Sequence, residues 1–178
     1  MPNTADSTPW PHLEAALHSG RSNCQMALRQ ALCALAANST NAAPSSVRQI
    51  TLIDQHFGDW PLGDEAVMSA LSSWLRVGAR QLRIVGVDFD TTAKIHPRFA
   101  RWRRDWSHAI DVRQPDDPVN TPPLRGLLIG GSFLQWLNAP DWRMRVVVES
   151  VHVRAIDEQL ADFLQRCGPG WPPTTIGL

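Results

Sequence analysis

Between residues 13 and 37 the apolar positions follow a helical period. Cys24, Leu28, Ala31, Leu32 and Leu35 recur at i, i+4, i+7, i+8 and i+11, which is one buried stripe. An N-terminal helix is predicted there, with a break near Ser19 and Gly20. Residues 1–10 are polar and rich in Pro, Ser and Thr, so they are expected to fray. Residues 38–46 collect Asn, Ser, Thr, Ala and Pro and predict a surface loop. The period then changes. Residues 48–54 (RQITLID) and 82–87 (LRIVGV) are short apolar and β-branched runs, hence strands. Between them Val67, Met68, Leu71, Trp74 and Leu75 form a second helical stripe. Asp64 is its predicted N-cap and Gly78 its stop. A strand–helix–strand unit of this kind implies a right-handed crossover and two parallel strands.

Beyond 87, Asp90 is expected to cap a short helical turn, and Pro97 to open the next helix. Ile95, Phe99, Trp102 and Trp106 share one face of this region. Residues 109–113 alternate and predict another strand, and 114–123 holds four prolines and reads as a loop. Gly130 and Gly131 lie between two apolar runs, 124–129 and 132–137, which is a two-residue hairpin signal. Residues 143–149 predict a further strand. Val153, Ile156, Leu160, Phe163, Leu164 and Cys167 predict a last helix, closed by Gly168 and Pro169. The expected domain runs over 11–178 and ends in an apolar tail at 170–178.

Composition narrows the chemistry. The chain has 178 residues, 43% of them hydrophobic, enough to bury roughly 70% of its unfolded surface in one core. Lys plus Arg is 17 and Asp plus Glu is 17, which argues against a whole-surface nucleic-acid binder. No apolar run is long enough to span a membrane, and no secretory leader pattern is evident, so a cytoplasmic location is expected. Cys24, Cys33 and Cys167 form no C-x-x-C and read as reduced, packed thiols. Phosphate-loop, dinucleotide-loop and nucleophile-elbow motifs are absent. No cofactor or metal is expected.

Two stretches carry candidate chemistry. Residues 82–92 (LRIVGVDFDTT) run from a strand into D-x-D-x-T, as in haloacid-dehalogenase-type phosphatases. Asp88 would then be nucleophile and Asp90 acid/base around Mg²⁺, with Asp116 and Asp117 as the later acidic motif. The spacing to Asp117 is too short for that family, and Asp90 as a helix cap is the simpler reading. The second stretch is 96–108, HPRFARWRRDWSH. His96, Arg98, Arg101, Arg104, Ser107 and His108 are the candidate anion-binding residues, because guanidinium groups match phosphate and carboxylate geometry. A solvated helix face with an Arg101–Asp105 pair is the competing reading.

At this segment the chain resembles an uncharacterised proteobacterial domain family related to the phospholipase D fold. The matching stretches are DWPL at 59–62, HPRF at 96–99, WRR at 102–104, WSH at 106–108 and TTIGL at 174–178. The resemblance implies a phospholipase D-like half-domain: a mixed, mainly parallel sheet with helices on both faces. Phospholipase D enzymes use H-x-K-x4-D. In the strand entering the hairpin, Pro123, Arg125 and Gly130 hold that spacing, and neither proline nor glycine can do the chemistry. The resemblance therefore implies a non-catalytic domain. Its expected partner is a phosphate-bearing small molecule or a protein, a second copy of the chain included. The alternatives are a phosphate-ester hydrolase built on 96–108 and the Mg²⁺-dependent phosphatase built on Asp88 and Asp90.

Overall fold

A computed structural model describes residues 13–40, 47–138 and 141–172. The expected frayed segment 1–10, most of the loop at 38–46 and the end of the tail lie outside the described residues. The elements are β1 (Ala16–Ser19), α1 (Arg21–Thr40), β2 (Gln49–Ile53), α2 (Glu65–Leu75), β3 (Gln81–Val85), α3 (Phe89–Ile95) and α4 (Pro97–Asp105). They continue as β4 (Ile110–Pro115), β5 (Gly126–Ile129), β6 (Ser132–Asn138), β7 (Arg143–Val147), α5 (Ser150–Leu164) and β8 (Cys167–Pro169).

The strands form one sheet in the order β1-β7-β6-β5-β2-β3-β4-β8. The predicted crossover is present: β2 and β3 pair in parallel, Gln49 opposite Gln81 through Ile53 opposite Val85, with α2 between them in the chain. The β3–β4 pair is also parallel. The other five pairs are antiparallel. The expectation of a mainly parallel sheet is therefore corrected to a mixed α/β sheet that is largely antiparallel. Three of the antiparallel pairs, β1–β7, β2–β5 and β4–β8, join segments far apart in the chain, and β5–β6 has a local cause in the Gly130–Gly131 turn. A two-residue turn can only return a strand antiparallel, and Gly130 (φ 49°) and Gly131 (φ 71°) supply the two left-handed residues of such a turn.

Side-chain alternation divides the core in two. Ile50, Leu52, Leu82, Ile84, Leu127, Leu134, Met144 and Val146 face a layer of Leu28, Leu32, Leu35, Val67, Leu71, Trp74 and Phe99 from α1, α2 and α4. Ile53, Val85, Phe133 and Val147 face Val153, Ile156, Leu160 and Phe163 of α5. The helical stripe read at Cys24–Leu35 is buried as expected.

Several boundaries depart from the expected ones. The predicted N-terminal helix begins at Arg21, not near 13, because Ala16–Ser19 pairs with β7 as an edge strand. The α1 helix continues to Thr40, two residues past the expected loop start. Cys167 belongs to β8 rather than α5, because β4 offers it an open edge at Pro115.

Asp54 follows β2 at the seam where parallel pairing to β3 meets antiparallel pairing to β5. It is fully buried. Its Oδ1 accepts from Arg125 Nε at 2.8 Å and from Gln55 N at 2.6 Å. Its Oδ2 accepts from Trp60 Nε1 at 2.7 Å and Arg125 Nη2 at 3.0 Å. Next to Arg125, Gly126 sits at φ 151°, and a Cβ there would collide with the Leu134 carbonyl oxygen. Removing one partner of such a pair leaves a buried charge without compensation. Arg125→Met should therefore cost about 3–5 kcal/mol in urea unfolding, as buried pairs do. An Asp54→Asn/Arg125→Met double variant should recover part of that loss.

Candidate functional site

The segment 96–108 is divided by its own helix. Pro97 opens α4 at its first turn, as its fixed φ favours. Phe99 and Arg103, one turn apart, point inward, and Trp102 is half-buried. Trp102 Nε1 donates to Ser72 Oγ of α2 at 2.7 Å, which pins α4 to the neighbouring helix. Arg98, Arg101 and Arg104 take the outward arc and are exposed, as are Lys94, Ser107 and His108.

The candidate residues therefore separate. Arg98 and Arg101 line an open groove of about 340 Å³ between α2 and α4, shared with Glu65 and Asp105. Arg98 Nη2 lies 3.8 Å from Glu65 Oε2, a wide exposed contact. Arg101 and Arg104 form no ion pair among the described residues. Ser107 and His108 lie past the helix end, where the His108 ring packs 5.9 Å from Trp106. His96 turns the other way: it is buried, and its Nε2 is 2.9 Å from the Phe57 carbonyl oxygen. It occupies the N-cap position of α4 without a side-chain capping bond.

Asp88 and Asp90 do not assemble a catalytic pair. Asp88, not Asp90, caps α3: it accepts from Thr91 N at 2.9 Å and Thr91 Oγ1 at 2.6 Å. These hydrogen bonds hold its carboxyl below the usual aspartate range. Among the described residues no three His, Cys, Asp or Glu side chains converge as metal ligands.

Arg103 was not singled out by the charge pattern. Its guanidinium lies over the Trp171 ring at 4.3 Å from the centroid, and its Nη2 donates to the Pro172 carbonyl at 3.0 Å. Its Nε is buried without a hydrogen-bond partner among the described residues. Burial, with a smaller push from the neighbouring Arg104 charge, lowers its pKa to about 10, so it remains a cation at neutral pH. The only sequence signal was position: Arg103 is four residues after Phe99 and shares its inward face.

No family model matches the chain, and no curated protein matches it. Among solved structures, the fold is similar to that of TrmBL2, described as an archaeal chromatin protein that shows a novel mode of DNA binding. The TM-score is 0.60 at 12% identity, over 92% of this chain and 56% of that one. This chain thus spans little more than half the length of that relative in fold. The likeness defines a mixed α/β domain. It also corrects the sequence-based assignment, since it falls on a chromatin protein rather than on a phospholipase D-like family. The expected phosphate-ligand or protein-partner role rested on that family and goes with it. Both phosphate-ester alternatives also lose their basis.

Asp88→Ala should lower stability by about 1 kcal/mol at pH 7, the usual cost of a lost N-cap. The sign with pH follows from its depressed folded-state pKa. The stabilisation is complete above the unfolded value near ~3.9 and is lost as pH falls through the folded value. Urea midpoints of wild type and variant should therefore differ at pH 7 and converge as the pH falls below the usual aspartate range.

Proposed function

We propose that this chain is a DNA-binding module whose contact surface is the arginine ridge of α3 and α4. The observation that carries the reading is the exposed row Lys94, Arg98, Arg101 and Arg104 on a fold similar to that of a DNA-binding chromatin protein. Ser107 and His108 extend the row as hydrogen-bond donors. The zero net charge counted against nucleic acid as a whole-surface partner. A local ridge does not need net charge, because at physiological salt a phosphate feels only cations within about 8 Å.

Arginine suits this task through its planar fork, which donates two parallel bonds to one phosphate. A protein reading only the backbone has no need of base-edge contacts, so the proposed binding is not sequence-specific. Binding of this kind falls in the range of about 10⁻⁴–10⁻⁶ M at physiological salt. The ridge also lies on the outer face of α4, which Phe99 anchors in the core and Trp102 bonds to α2. Its geometry therefore does not depend on loop ordering.

Fluorescence anisotropy with a labelled duplex of about 20 base pairs tests the reading. Four phosphate contacts predict that log K falls against log salt with a slope of about −3.6. Arg98→Ala/Arg101→Ala/Arg104→Ala should weaken binding and flatten the slope to about −1. An unchanged slope in that triple variant, or no binding by wild type at low salt, sinks the proposal.

A further inference from the structure

The C-terminal segment enters the core in an unusual way. Gly170 N donates to the Val112 carbonyl at 3.0 Å, and a Cβ at Gly170 would meet Gln114 Cβ at 2.7 Å. Trp171 follows with φ 41°, in the left-handed region that a bulky aromatic residue adopts only under constraint. Its indole stacks on Phe89 at 5.1 Å between centroids and 12° between planes. Phe99 lies 6.4 Å away at a tilt, and the Arg103 guanidinium covers the ring at 4.3 Å. Even so Trp171 is only half-buried.

Phe89, Phe99 and Arg103 belong to the α3–α4 body, whereas Trp171 arrives from the far end of the chain. The arrangement is thus a slot for one flat ring, built by α3 and α4 and filled by a tethered indole. Its walls are those that hold an unstacked nucleobase: an aromatic face and an arginine plane. Arg103 also brings a buried Nε with no hydrogen-bond partner among the described residues, and an indole, which carries only a donor, does not satisfy it.

We propose that this slot binds a nucleobase, with Trp171 acting as a built-in competitor that must leave first. The proposal deepens the DNA-binding reading and rests on it for the class of ligand. It places the slot on the inward face of α4, whose outward face carries the arginine ridge.

A nucleoside probe carries no phosphate and so tests the slot separately from the ridge. With 2-aminopurine riboside, whose fluorescence falls on stacking, Trp171→Ala should quench saturably. Wild type and Trp171→Phe, both with a ring in the slot, should need at least about tenfold more protein for the same quenching. Adding Arg103→Ala to Trp171→Ala should abolish the effect, and unlabelled adenosine should reverse it. Absence of saturable quenching by folded Trp171→Ala, or equal quenching by wild type, overturns the proposal, whatever the duplex result. If Trp171→Ala does not fold, wild type labelled with 5-fluorotryptophan is titrated with millimolar adenosine. The Trp171 fluorine resonance should move toward its solvent-exposed position, and a resonance that stays in place overturns the proposal equally.

Discussion

The fold turns on the contact between Asp54 and Arg125. Asp54 closes β2, which is the hinge line of the sheet: its β3 side is parallel and its β5 side antiparallel. A buried carboxylate needs all its acceptor sites filled. Here the bidentate guanidinium, the Trp60 indole and the Gln55 amide do so. Three separate pieces of chain are thereby drawn to one point: the end of β2, the turn before α2 and the entry to β5. Besides that point the crossover unit and the hairpin share the β2–β5 ladder and the apolar cores on either face of the sheet. Desolvation offsets much of the pair's attraction, so its main consequence is where it places the chain rather than net stability.

Arginine acts in two opposite ways in α4. Arg103 is enclosed and contributes packing through its flat guanidinium, stacked on an indole. Arg98, Arg101 and Arg104 stay in water, where a guanidinium is free to meet a partner. The helix can carry both because its inward stripe is narrow, with Phe99 and Arg103 one turn apart. Trp102 then supplies the lateral bond to Ser72 that stops the helix rolling. An outward cationic ridge and an inward aromatic slot are two faces of the same nine-residue helix.

Much of the architecture was legible in local pattern. The β2–α2–β3 unit followed from period and capping: Asp64 does accept from Ala66 N and Val67 N. The Gly130–Gly131 hairpin followed from the conformational freedom of glycine. Arg98, Arg101 and Arg104 were read as candidate anion-binding residues beside a competing solvated-face reading, because spacing cannot say whether a cation meets a carboxylate. His96 was misleading for a related reason. Beside a basic run it resembles a donor, yet Pro97 turns the chain so that its ring meets the Phe57 carbonyl.

Local periodicity, capping and turn chemistry act over a few residues, so whatever depends on them can be read along the chain. That covers the crossover, the hairpin, the amphipathic helices and the absence of common catalytic motifs. Tertiary structure alone decided the rest. Arg125 meets Asp54 across 71 positions and Arg103 meets Pro172 across 69. The largely antiparallel sheet also came from pairings between distant strands, which strand propensity does not encode. Whether a buried charge finds its partner depends on which distant segment desolvates it. That depends on the packing of the whole chain, not on the residues beside it.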